Sequence, residues 1–358
     1  MKDKILKIVS EFIKFKSIDD EEHRPELFKI ISWTENRLKK LSNVYIKKLM
    51  VNGKPALVIT FKPNYKQPKL FINGHLDVVP AEDNEFKTRQ VGNKLFGRGV
   101  QDMKGACAVM IALVEFFSRQ KNKPDVGFMF VTDEEWYGDQ SKYMQKIGYK
   151  PQLMITLEPT DLDLVIETKG MIWLRGTITG KAAHGSRPWL GKSALELFQT
   201  DLKKFYSICP PLKKEHWQTT YSIGTVQCGD SFNTIPSQLS FTMDIRYVAK
   251  DNPQMIIKKL KKCFFNTIWE IVRLDPPHTK AKDQHLIKQL YQEVKKVESR
   301  AKYTKATFCT DARFFAIKGI SSAVLGVCGG NMHSQGEWVD IKSLDKLFLI
   351  MKNFCNKL

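Results

Sequence analysis

His75 and Asp77 close the apolar run FINGHLDVVP (71–80), where an imidazole and a carboxylate two positions apart share one side of an extended chain. Such a pair could hold a metal ion. Four further segments place acidic groups or a histidine in loops or where predicted strands end. GRGVQDMKG (97–105) presents Asp102 among glycines that permit tight backbone turns. VTDEEWYG brings Glu134 and Glu135 just past the apolar run that ends at Val131. TLEPT brings Glu158 in front of the strand-stopping Pro159, and GGNMHSQGEW brings His333 into a glycine-rich loop after SSAVLGV. Taken singly, each is an ordinary surface feature. Together, two histidines and three carboxylates converging on one sheet edge offer the nitrogen and oxygen ligands suited to Zn²⁺ and similar ions.

A two-metal centre needs one carboxylate to bridge the ions, another to take a proton from water, and a neighbour that orients a ligand histidine. Asp77 fits the orienting role. Glu134 and Glu135 are adjacent and can point in different directions, one towards a metal and the other towards the water.

The elements that must position these groups alternate in type. ALVITF, KLFING, VGFMFVTD and PQLMITLEP read as strands, with an apolar helix from about Gly105 between the second and third. Such alternation predicts a mostly parallel sheet covered on both faces, with ligands gathering at the carboxyl ends of its strands. Near Lys169 the pattern changes. A strand (MIWLRGTITG), a helix (193–206), two strands (TTYSIGTVQ and SQLSFTMDIRYV), a helix (253–264) and a strand (TIWEIVRL) follow in the order of a ferredoxin-like unit. The first pattern resumes from about Lys280. The expectation is an α/β catalytic domain, 1–168 and 280–358, interrupted by an inserted α+β domain, 169–279. A chain of 358 residues exceeds the size at which a single core usually stops growing, which agrees with two domains.

Composition narrows the class further. The longest apolar stretch, GACAVMIALVEFF (105–117), contains Glu115 and is too short to span a bilayer. The N-terminal segment has helical spacing and no uninterrupted apolar core, so no signal peptide is expected. Seven cysteines without a CxxC pair suit a reducing, cytoplasmic setting. The net charge of +19 is dispersed along the chain. Dispersal reads as a lysine-rich solvated surface and argues against a nucleic-acid partner.

In order along the chain, HLDVVP, GRGVQDMKG, DEEWYG, LEPT and NMHSQGEW closely resemble the motifs of the M20 family of metallopeptidases and deacylases, and the likeness covers nearly the whole sequence. The resemblance implies that His75 and Glu158 bind one metal, that Glu135 and His333 bind the other, and that Asp102 bridges them. It makes Glu134 the general base and Asp77 the residue that holds His75. It further implies a zinc-peptidase-like fold with a ferredoxin-like lid that dimerises, two Zn²⁺ per chain, and Co²⁺ or Mn²⁺ as alternatives. In the lid, His184 resembles a histidine that enters the partner subunit's site to stabilise an oxyanion, while Asn233 and Arg246 match positions near the substrate. Arg246 could clamp a substrate carboxylate through paired hydrogen bonds. Leu157 stands where the family often has Gly, and Trp136 and Tyr137 add bulk after the acidic pair. The motif style is that of acetylornithine deacetylase and succinyl-diaminopimelate desuccinylase, so the expected substrate is an N-acyl amino acid. A dipeptidase or carboxypeptidase acting on a short peptide is the alternative, and a binding protein with a basic surface is the reading outside enzymes.

Overall fold

The computed structural model describes residues 1–214, 216–279 and 284–358. The domain boundary expected at residue 280 lies outside them. The chain divides into two compact units, one of Met1–Glu167, Thr279–Lys305 and Thr310–Leu358, the other of Thr168–His278 and Ala306–Cys309.

The first unit is built on an eight-stranded sheet, ordered Tyr45–Val51, Lys54–Thr60, Val126–Val131, Leu70–His75, Leu153–Thr156, Ser321–Val324, Leu164–Thr168 and Tyr303–Ala306. The four strands from Val126–Val131 to Ser321–Val324 run parallel. The strands Tyr45–Val51 and Lys54–Thr60 are antiparallel additions on one flank, and Leu164–Thr168 meets the other flank antiparallel. The parallel strands are near-continuous apolar runs because both faces are covered.

Helix Lys104–Phe117 is apolar all round and almost wholly buried. It packs against helices Lys2–Ile13 and Ile341–Cys355. Its approach to strand Leu70–His75 is close: a side chain at Gly74 would lie 2.8 Å from both Cys107 Sγ and Met110 Sδ. Among the described residues, no helix is long and apolar enough to cross a membrane.

The second unit is a four-stranded antiparallel sheet, ordered Thr220–Cys228, Gln238–Tyr247, Gly170–Thr179 and Thr267–Asp275, with helices Ala194–Ile208 and Pro253–Cys263. Its element order is the β-α-β-β-α-β order read from the sequence. Strand Gln238–Tyr247 alternates strictly, burying Leu239, Phe241, Met243, Ile245 and Tyr247. Ser193 and Asn252 cap the two helices. The segment Ala306–Cys309 returns to this unit, where the carbonyl of Ala306 accepts from Lys169 N at 3.3 Å and the Cys309 thiol meets the Lys169 carbonyl at 3.2 Å. No sequence pattern announced that return, because a single backbone pairing leaves no periodic trace.

Phe264 sits at the middle of this core, with ring centres 5.3 Å from Phe205, 5.4 Å from Phe241 and 5.5 Å from Trp269. Phe264→Ala is expected to lower the unfolding free energy by about 3–5 kcal/mol in urea titrations followed by tryptophan fluorescence. A loss below about 1 kcal/mol would mean that this aromatic cluster does not organise the unit.

Candidate metal centre

Parallel strands end on a common edge, and three of the four parallel strands deliver acidic or imidazole groups there. His75 is the last residue of Leu70–His75, in register with Val131. Glu134 and Glu135 follow Val126–Val131 in a turn where Tyr137 N and Gly138 N donate to the Asp133 carbonyl at 2.9 and 2.7 Å. Glu158 follows Leu153–Thr156, and Leu157 N donates to the Asn73 carbonyl at 3.1 Å. Leu157 itself is buried in the core. Asp102 immediately precedes the Met103 cap of helix Lys104–Phe117. His333 has a φ of 58° and Asn331 one of 60°, a left-handed conformation uncommon outside glycine. Backbone held in that region clusters at functional sites.

The side chains meet at short range. His75 Nε2 lies 3.0 Å from Asp102 Oδ1 and 3.6 Å from Glu158 Oε2. The other Asp102 oxygen, Oδ2, lies 3.1 Å from His333 Nε2, which is also 3.1 Å from Glu135 Oε2. One carboxylate thus stands between two imidazoles, with one oxygen towards each. Asp77 engages its neighbours differently from the simple shared-face picture, because the strand ends at His75. Its backbone carbonyl accepts from His75 Nδ1 at 3.0 Å, its Oδ1 stands 3.6 Å from the same nitrogen, and its Oδ2 accepts from Glu135 N at 3.0 Å. With Nδ1–H donated to Asp77, the neutral His75 ring presents the Nε2 lone pair to the acidic cluster. Donor atoms of His75, Glu134 and Glu158 lie within 4.8 Å of one another, as do those of His75, Asp102 and Glu135.

Burial pushes the Glu158 carboxyl up to about 8, with Asp102 adding to the effect. Burial also raises Glu134 well above the usual range, with Glu158 adding, and raises Glu135, with Asp102 adding. Asp102 goes the other way: burial opposes its ionisation, but hydrogen bonds from His333 and His75 outweigh it. Burial disfavours the His75 cation, yet Glu158, Asp102 and Asp77 drive its affinity for a proton up. Hydrogen bonds to Asp102 and Glu135 push His333 to about 10. Asp77 Oδ1, Glu135 Oε1 and Glu158 Oε1 are buried without a hydrogen-bond partner. A buried carboxylate oxygen is costly unless paired or coordinated. An imidazole and carboxylate donor set with unpaired oxygens fits a divalent cation of the zinc class.

His184, Asn233 and Arg246 belong to the second unit. His184 is exposed, on a two-residue ladder that pairs it with Thr234, and Gly185 N donates to the Asn233 carbonyl at 2.6 Å. His184 Nδ1 accepts from Ser186 N at 3.1 Å. Arg246 Nε donates to both oxygens of Asp244, at 3.0 and 3.1 Å. Sequence reasoning passed over Arg313 and Asp311. Arg313 Nη1 lies 3.8 Å from Glu134 Oε1, and Asp311 Oδ2 accepts from Ser141 Oγ at 2.5 Å. The charged pair in TDARFF, beside two phenylalanines, was the available signal.

The profile of Peptidase family M20/M25/M40 matches residues 71–357. A protein of Buchnera aphidicola subsp. Schizaphis graminum named acetylornithine deacetylase is 26% identical over 80% of this chain and 81% of its own length. A probable carboxypeptidase of Aspergillus terreus is 30% identical over 51% of this chain, and the match spans 45% of that protein. In fold, the chain is similar to a tripeptidase from Staphylococcus aureus, with a TM-score of 0.81 and 18% identity over 100% of this chain and 98% of that one. It is equally similar to an M20 family metallo-carboxypeptidase from Sulfolobus solfataricus, with a TM-score of 0.81 and 17% identity over 98% of each.

Because His333 titrates near 10 rather than near 6.5, its proton is bound at neutral pH. The stabilisation from its ion pairs is therefore complete below about pH 6.5 and lost as pH rises through about 10. A cation takes the neutral imidazole, so zinc uptake by chelated protein at pH 7 is expected to release protons. Calorimetry in two buffers of different ionisation enthalpy measures this. Identical heats in both would show that the ring is already neutral.

Proposed function

Given that the chain belongs to peptidase family M20/M25/M40, we propose that it is a zinc-dependent amidohydrolase that removes the acyl group from an N-acyl amino acid. The observation that carries this reading is the Asp102 carboxylate set between His75 and His333, with Glu135 and Glu158 at its flanks. His75 and Glu158 would hold one ion and Glu135 and His333 the other, with Asp102 shared. A divalent cation held there would supply Lewis acidity to the amide carbonyl and to the water.

The chain's own groups do the rest. Glu134 takes a proton from water as the oxygen bonds to the carbonyl carbon, then passes it to the amide nitrogen as the carbon–nitrogen bond breaks. The products are a carboxylate and an amine that takes up the remaining proton of the water as an ammonium group. Burial, which raises the Glu134 carboxyl, suits a group that must both accept and return a proton near neutral pH. Asp77 fixes the His75 ring through Nδ1 and also anchors the backbone of Glu135, so one side chain orients ligands on both halves of the centre. In the second unit, Ser186 N–H occupies His184 Nδ1, which leaves the proton of the neutral ring on Nε2. A donor at Nε2 is what an oxyanion requires. Arg246 would receive the substrate carboxylate on its terminal nitrogens while Asp244 holds Nε. The second unit would then serve as lid and as the dimer contact that brings His184 to the partner's centre.

The deacylase reading is favoured because the acetylornithine deacetylase match extends over 80% of the chain. The carboxypeptidase match, over about half, keeps peptide hydrolysis as the second reading. Free-amine release from N-acyl amino acids and dipeptides, with chelated and zinc-restored protein side by side, separates the two. Turnover confined to dipeptides would replace the first with the second, and zinc-independent turnover would remove both.

Glu134→Gln is expected to keep its metal and fold while kcat falls by about 10²–10⁴. A wild-type rate in a metal-replete Glu134→Gln protein would sink the mechanism. His184→Ala is expected to lower kcat by about 10²–10³. If His184 acts across a dimer, mixing the Glu134→Gln and His184→Ala chains restores part of the lost activity, whereas action within one chain restores none.

A further inference from the structure

Glu337 is 1% exposed, and the chemistry above gives it no part. Its Oε1 accepts from Gln101 N at 2.9 Å and Asp102 N at 3.1 Å. Its Oε2 accepts from Gly99 N at 2.9 Å and from Arg98 Nη1 at 2.8 Å. Its own backbone carbonyl accepts from Gly97 N at 3.1 Å. The whole turn from 97 to 102 is therefore folded around one residue. The turn is tied in the other direction as well, since Arg98 Nη2 donates to the Ser334 carbonyl at 3.2 Å and lies 3.5 Å from Glu85 Oε2. Glu85 Oε1 in turn accepts from Gly336 N at 2.5 Å. Arg98, Glu337 and Glu85 thus lace the turn that carries Asp102 to the loop that carries His333.

We propose that Glu337 is a positioning residue: by fixing the turn of Asp102 against the loop of His333, it builds the half of the metal centre made by Asp102, Glu135 and His333. This rests on the metal-centre reading above. The physical reason lies in the acceptor count. A carboxylate offers acceptor capacity on both oxygens, and here both are used, two donors to each. A glutamine would have to turn its NH₂ towards one pair of those donors, so one side of the turn would come loose. His333 depends on this lacing more than His75 does. Its side chain is 47% exposed and sits on a left-handed loop, whereas the His75 side chain is 1% exposed at the end of a central strand.

The experiment compares full-length wild type, Glu337→Gln and Glu293→Gln. Glu293 is a comparably buried carboxylate of the first unit whose Oε1 accepts from Lys296 and Lys357, both at 2.6 Å, and it controls for the general loss of a buried charge. Stepwise Zn²⁺ affinities are read by chelator competition, with thermal melts alongside. Glu337→Gln is expected to stay folded and to weaken the looser of the two zinc equivalents by about 10–100-fold, while the tighter one changes by less than about threefold. Glu293→Gln is expected to lower the melting temperature with both affinities unchanged.

Two wild-type affinities in Glu337→Gln would overturn the proposal. So would an equal loss of both, in step with the melt, because that is the behaviour of a merely structural carboxylate. Should Glu337→Gln not fold, Glu337→Asp keeps the charge, withdraws it by one methylene and is scored by the same comparison. Failure of the metal-centre reading is distinguishable, because it would appear in the wild-type arm alone as absence of tight zinc binding.

Discussion

The first unit is organised by the need to bring several carboxylates within a few ångströms of one another away from water. Asp102 and Glu158 are buried with the partly buried Glu134 and Glu135 beside them, and burial raises the affinity of the three glutamates for protons. Left alone, such a cluster would relax by protonating or by swinging its acids into solvent. The swing is restricted, because the backbone of these acids sits just past the ends of sheet strands or just before the helix Lys104–Phe117. The parallel sheet supplies that backbone: strands running in one direction end on one edge, and their terminal residues cannot separate without breaking the ladder.

Rigidity reaches the centre by a second route. Helix Lys104–Phe117 begins just after Asp102 and lies so close to strand Leu70–His75 that a side chain at position 74 would have to displace Cys107 and Met110. On this helix, the Cys107 thiol donates to the His75 carbonyl at 3.1 Å. Asp102 and His75 are thus the outer ends of two elements whose inner parts are packed together. Their 3.0 Å contact follows from core packing as much as from their own attraction. Close-packed interiors transmit displacement, so a change of volume at Gly74 or Cys107 would be felt at His75 and Asp102.

The sequence made some of this legible. A histidine at a strand end betrays itself, because a polar side chain after FING breaks an apolar run that otherwise needs no interruption. The order of elements in the second unit was readable for a related reason, since the alternation in SQLSFTMDIRYV records a sheet with one apolar face. What could not be read were contacts between distant segments. Glu337 looks like a polar loop residue next to a tryptophan, and nothing local says that it gathers the amides of Gly99, Gln101 and Asp102. Arg313 looks like a helix cation until it is found beside Glu134. Periodicity reports the neighbours of a residue within its own element and is silent on partners hundreds of positions away.

The same distinction explains why the reaction class is more legible than the substrate. The proposed ligands and base sit at strand ends and in tight turns, where geometry allows few residue types, so their motifs are short and recognisable. Recognition of the acyl group and of the amino-acid side chain would fall to groups such as His184, Asn233 and Arg246, on ladders and strand faces where many residue types are tolerated. Arg246 illustrates the difference. Its Nε is held by Asp244 two residues away on the same strand, so the guanidinium plane is set by a local ion pair before any ligand arrives. An arginine oriented in advance loses less freedom when it meets a carboxylate, and the plane that Asp244 sets constrains which carboxylates it can meet in paired fashion. If Arg246 binds the substrate as proposed, the acid at position 244 acts on that choice through the plane it sets.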